Sequence, residues 1–176
     1  MKPAVLALML IPCFAVVIGQ CADSGKTSSN RLKIELRANA SRVRMNEDML
    51  LTLFFRSPEK EVTIWNALEW GAPTGLFLQV LDSSGREVRN YSTPPFYPVP
   101  PDLTGKGALI SIGGASFAGF DSQIPVKDLF PGPGRFNLKC RYSPPLSRDY
   151  FKGHTIWGKE DGAIESSAVP VTVDVQ

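Results

Sequence analysis

The chain has 176 residues, with 19 Lys+Arg against 17 Asp+Glu, 43 % hydrophobic residues and 20 % charged ones. That length gives one domain with a real core and excludes most multi-domain enzymes, and the composition is globular rather than disordered. Gly and Pro number 15 each, a high share that suits many short strands joined by turns.

In chain order, the first segment reads as an address. Lys2 supplies a positive start, and Ala4 to Ile18 is apolar apart from Pro12 and Cys13. A secretory signal has this layout, whereas a spanning helix needs about 20 apolar residues. Residues 1–19 are therefore expected to be a signal peptide, with cleavage after Gly19. Ile18-Gly19-Gln20-Cys21 also resembles a bacterial lipoprotein box, in which Cys21 would be acylated, although Gln20 stands where a small residue is usual. The polar stretch 20–31 reads as a flexible N-terminal tail or tether, and 32–176 as the folded domain. The expected location is outside the cytoplasm: secreted, periplasmic or in the cell envelope, with a lipid anchor at Cys21 as one alternative.

Loss of Lys2 with the signal leaves 18 basic against 17 acidic residues, and no basic residue is next to another. That pattern argues against nucleic acid or an anionic membrane surface as partner. Cys13 leaves with the signal. Cys21 and Cys140 then remain, either as a disulfide or as a lipidated Cys21 and a buried Cys140 thiol. There is no CxxC, and His154 is the sole histidine, so no metal site is expected and no cofactor is implied.

The rest reads as strands. Leu32, Ile34 and Leu36 alternate with Lys33, Glu35 and Arg37, the period of a half-buried strand. Met49–Phe55 is a richer, central-type strand, Val62–Trp65 a third and Leu76–Leu81 a fourth. Asp82-Ser83-Ser84-Gly85 is a turn that returns as Arg86–Tyr91, completing a hairpin. Pro94–Pro101 holds five prolines in eight residues, which suits an extended surface crossover or a ligand for a groove that reads proline helices. Ala108–Ile112 is a strand, 113–119 a Gly-rich loop, and Val126–Phe130 one helical turn. In Arg135–Tyr142, Phe136, Leu138, Cys140 and Tyr142 share one face and Arg135, Lys139 and Arg141 the other. Val169–Val175 is the last strand, with Pro170 marking an edge or a strand start. No stretch has apolar residues at helical spacing over ten positions. Seven or eight short strands in about 145 residues indicate an all-β antiparallel sandwich.

Three segments resemble the immunoglobulin-like sandwiches of uncharacterised secreted and lipoprotein sequences of bacteria, and loosely the BsuPI-type proteinase-inhibitor domain. They are Leu32–Leu36 with Met49–Phe55, the hairpin Phe77–Val88 around Asp82–Gly85, and Asp128–Phe130 followed by Pro133–Phe136 and Tyr142. The resemblance implies an immunoglobulin-like fold of seven or eight strands. It supplies no catalytic residues.

Chemistry is sparse. Gly25-Lys26-Thr27 echoes the end of a P-loop, but Gln20 occupies the place of its first glycine. Gly114-Ala115-Ser116-Phe117-Ala118 lacks the second glycine of a nucleophile elbow. The chain is therefore expected not to be an enzyme. Candidate binding residues are Trp70, Phe96 and Tyr97, loop aromatics that would offer a platform to a glycan or a protein partner. Trp65 reads as core, filling the place of the tryptophan in the third strand of such sandwiches. Asn39-Ala40-Ser41 and Asn90-Tyr91-Ser92 match glycosylation sequons. The expected function is a non-catalytic binding or structural module, with a secreted proteinase inhibitor or a carbohydrate-binding module as alternatives.

Overall fold

A computed structural model describes residues 32–58, 60–66, 69–71, 74–92, 108–113 and 116–175. The signal peptide, the 20–31 tail with Cys21, and the proline tract with Phe96 and Tyr97 lie outside the described residues. Among the described residues there are eleven strands: β1 (Lys33–Ala38), β2 (Arg42–Arg44), β3 (Asp48–Arg56), β4 (Val62–Trp65), β5 (Leu76–Asp82), β6 (Glu87–Tyr91), β7 (Leu109–Ile112), β8 (Phe117–Pro125), β9 (Gly134–Tyr142), β10 (Ile164–Glu165) and β11 (Val169–Asp174). One helical turn, α1 (Val126–Leu129), links β8 to β9. Among the described residues no helix is long and apolar enough to cross a membrane.

The strands form a sheet β1-β3-β8, a larger sheet β2-β11-β9-β5-β6 to which β10 adds against β9, and a separate ribbon β4-β7. Pairing is antiparallel except for β2 beside β11. In immunoglobulin lettering this order is A-B-E facing A′-G-F-C-C′, the arrangement of that fold. The chain is thus an all-β, immunoglobulin-like sandwich, with eight strands in its two facing sheets besides β10 and the ribbon.

Alternation decides which face is core. Met49, Leu51, Leu53 and Phe55 point inward from β3 and are fully buried. Leu76, Leu78 and Val80 on β5, and Leu138, Cys140 and Tyr142 on β9, answer from the other sheet. The Phe55 and Tyr142 rings meet edge-on across the interface, 5.2 Å apart. Burial pushes the Cys140 thiol and the Tyr142 phenol well above their ordinary pKa. The β5-β6 hairpin forms because the Asp82 carboxylate accepts from the Ser84 and Arg86 amides at 2.9 and 3.1 Å, and Gly85 takes a φ of +83°. Donation from Ser84, chiefly from its hydroxyl, holds the Asp82 carboxyl below its usual range.

Several expectations change. The Gly-rich loop stops at 116, and Phe117 begins a nine-residue strand, β8, paired with β3 along its whole length. Its sequence hides this: inward positions include Ser122, and outward ones include Phe117 and Gly119, so no apolar alternation appears. The short β2 and β10 were likewise invisible to periodicity. Trp65 is buried, as expected, but in the β4-β7 ribbon; strand C is β5, which has no tryptophan. Pro170 is the second residue of β11, whose pairing with β2 begins only at Thr172.

Truncation of the inward row should cost about 2–5 kcal/mol at Leu53→Ala or Leu138→Ala, and about 0.5 kcal/mol at the outward Leu50→Ala, by urea unfolding. Cys140 should react with a thiol reagent only after unfolding.

Candidate functional site

The register places three connections at one end of the sandwich. Arg56, ending β3, pairs with Phe117, starting β8; Leu76, starting β5, pairs with Tyr142, ending β9. The Phe55–Tyr142 contact brings both sheets to this same end. The B–C connection, the return into β8 and the F–G connection (143–168) therefore gather there. In variable domains the B–C and F–G loops of this end form the recognition surface.

The F–G connection is a built structure rather than slack chain. The Arg148 guanidinium donates to Asp161 through Nη2 at 2.6 Å and Nε at 3.4 Å. Asp161 also accepts from the Gly158 amide at 2.9 Å, and Glu160 from the Arg148 amide at 2.8 Å. Hydrogen bonding to Asp161, and then its charge, hold Arg148 firmly protonated. The Glu160 carboxyl is held below its usual range by its own amide and that of Arg148. The Trp157 amide donates to the Thr63 carbonyl at 2.8 Å, pinning the loop to the free side of β4, and the indole N–H donates to the Gly162 carbonyl at 3.3 Å. Gly158 is required by close approach: a Cβ there would lie 2.3 Å from the Arg148 amide nitrogen.

Between this loop and β4 lies an open cleft of about 350 Å³. Its walls carry Lys60, Glu61, Arg148 and Asp161, and its floor Ile156 and Trp157. At the loop's tip Tyr150 is 50 % exposed and packs edge-on against Phe151, ring centroids 5.2 Å apart. On the outer face of the smaller sheet, at the start of β8, Phe117 is 61 % exposed and meets Phe54 edge-on at 5.2 Å. The Arg37 and Arg56 guanidinium carbons lie 5.0 and 5.7 Å from the centre of the Phe54 ring. Exposed aromatics with arginines have the composition of binding hot spots.

Of the candidate residues read from sequence, Trp70 is 3 % exposed and packs against Phe120 at 5.2 Å. Its ring belongs to the core cluster and forms no surface platform, because Phe120 points inward from β8, a strand that the sequence concealed. Its indole N–H has no hydrogen-bond partner among the described residues. Phe96, Tyr97 and Cys21 lie outside the described residues; Cys140 is buried and has no disulfide partner among the described residues. His154 is exposed in the F–G loop. Among the described residues no three His, Cys, Asp or Glu side chains converge on a metal site. Sequence reading passed over Tyr150 and Phe151. Their adjacency in a long polar connection was the available sign, and it needed the loop's placement to acquire meaning.

No family model matches the chain, and no curated protein matches it. Two solved structures are similar. One is the CARDB domain of a Pyrococcus furiosus protein, determined with di-metal ions, at 9 % identity and a TM-score of 0.39, covering 86 % of this chain and 100 % of that one. The other is the sporulation control protein Spo0M of Bacillus subtilis, at 8 % identity and a TM-score of 0.41, covering 83 % of this chain and 50 % of that one. The chain thus spans half the length of Spo0M.

Asp161→Ala should release Arg148 and the Gly158 amide together and speed amide exchange across 147–162, leaving exchange in β3 and β9 unchanged. Because the Glu160 carboxyl is lowered, its contribution is full above its ordinary value of about 4.3 and fades as pH falls through the lowered one. The Arg148 amide resonance should therefore titrate with a midpoint below about 4.3.

Proposed function

We propose that this is an exported, non-catalytic binding module that engages its partner through the B–C and F–G end of the sandwich. The observation that carries the reading is the Tyr150–Phe151 pair, held out at the tip of a loop whose base is locked by Arg148 and Asp161. A rigid loop loses little entropy when an exposed aromatic docks. The cleft below it offers a mixed-charge wall over an apolar floor, which suits a protein surface better than a buried small molecule. Export rests on the Lys2, Ala4–Ile18 and Gly19 pattern at the N-terminus. Lipidation at Cys21 would tether the domain to the envelope; a Cys21–Cys140 disulfide would leave it free.

The likeness to the BsuPI-type inhibitor domain supports a second reading, inhibition of a secreted protease. The observation favouring it is the exposed run Ser147–Tyr150 on the braced loop, a segment able to enter a substrate cleft.

The test is capture by the immobilised mature domain from extracellular and envelope extract. A specific partner should be retained, and Tyr150→Ala with Phe151→Ala should weaken binding about thirtyfold, the loss of one hot spot. Turnover of a defined substrate, or retention of nothing by the wild type, overturns the module. Inhibition of a secreted protease by the wild type but not by the double variant would select the inhibitor reading.

A further inference from the structure

A second recessed surface lies around the corner from the loop end, on the outer face of the larger sheet. It is a groove of about 310 Å³ lined by Phe77, Gln79, Asn90, Arg141 and Ser143. The ladder explains the grouping. Phe77 on β5 sits directly opposite Arg141 on β9, and Gln79 on β5 directly opposite Asn90 on β6. Successive outward residues of one strand, and facing residues of its neighbours, thus form a patch three strands wide, about 10 Å across.

The polar groups in this patch are not equally committed. The Gln79 amide donates to Glu87 at 2.5 Å. Lys139, the next outward residue of β9, is ion-paired with Glu165. Glu165 also faces Arg141 across the ladder, but its ion pair is with Lys139 and none joins it to Arg141. Among the described residues no hydrogen bond or ion pair engages the Arg141 guanidinium or the Asn90 amide. The groove therefore combines a half-buried aromatic ring, two carboxamides, a hydroxyl and one cation that forms no ion pair among the described residues.

We propose that this groove binds a sugar ring carrying a carboxylate, a uronate of an acidic glycan. The Phe77 ring supplies a flat apolar surface for the C–H face of a pyranose. Asn90, Ser143 and the Gln79 carbonyl line the same groove and offer donors and acceptors to its hydroxyls. Arg141 meets the carboxylate with a planar fork of donors. An acidic peptide is the weaker fit. The groove runs across the strands, and β5 and β9 are paired on both sides, so a peptide could not add as a strand there and all recognition falls to side chains. The proposal rests on the binding-module reading but uses a different face, so the two can fail separately.

The test titrates the mature domain with tetragalacturonate, with maltotetraose as the neutral sugar and hexaglutamate as the acidic peptide, followed by calorimetry and amide shifts. Tetragalacturonate should bind, with shifts centred on Phe77, Asn90 and Arg141, and maltotetraose should bind at least about tenfold more weakly. Phe77→Ala and Arg141→Ala should each reduce uronate affinity about tenfold with unchanged melting temperature, since both side chains point away from the core. Arg141→Lys should restore part of the loss, and raised salt should weaken the wild type more than Arg141→Ala. No tetragalacturonate binding at millimolar concentration, shifts located elsewhere, or equal binding of hexaglutamate overturns the proposal. If uronate binding fails while partner capture still depends on Tyr150, the ligand class alone falls. If uronate binds through Phe77 and Arg141 while Tyr150 proves irrelevant, the groove stands and the loop-end reading falls.

Discussion

Everything in this molecule depends on two inward rows of side chains closing face to face. β3 supplies Met49, Leu51, Leu53 and Phe55; β9 supplies Leu138, Cys140 and Tyr142. A strand exposes alternate residues to opposite faces, so each row exists only if its strand keeps one register throughout. Phe55 and Tyr142 then lock the sheets at one end. A slip of one residue in either strand would turn its apolar row to solvent and bring Thr52 or Arg141 inside. Register, core and the location of the loops are therefore one constraint.

The loop end follows from that closure. With β3 and β9 aligned, the chain must leave β3, enter β5, enter β8 and leave β9 on the same side. The F–G connection meets the B–C excursion there, and Trp157 joins them through the Thr63 carbonyl. Arg148, Asp161 and Glu160 brace the loop through two backbone amides as well as the Arg148 guanidinium. The Arg148–Asp161 pair is partly exposed, so its geometric role in shaping the turn outweighs its charge energy. The result is an aromatic tip on a firm base, set apart from the residues that hold the domain together. Core and loop tip can change independently in such an arrangement.

The outer faces follow the same logic of pairing. Several exposed charges are paired with a neighbour on the next strand or across a turn: Arg42 with Asp174, Arg86 with Asp82, Lys139 with Glu165. These pairs screen the sheet surface and individually contribute little stability. Arg141, like Arg135 on the same strand, forms no ion pair among the described residues; its place opposite Phe77 in a groove is what distinguishes it.

Apolar runs or alternation were enough for β1, β3, β4, β5, β7, β9, β11 and the helical turn, because in each the burial pattern is written directly in the local residues, and β6 was legible as the return from its turn. The Asp82–Gly85 turn was equally plain, since its residues make their own bends. Those features determined an all-β antiparallel sandwich. Tertiary structure decided the rest. β8 has no apolar rhythm of its own and exists because β3 offers it a complete hydrogen-bonding edge. Trp70 lies inside because β8 brings Phe120 over it. Tyr150, Phe77 and Arg141 acquire meaning only through neighbours far away in sequence. Local pattern reports which face a residue prefers; which residues from different strands meet is set by register between strands, and no single segment of the chain contains that information.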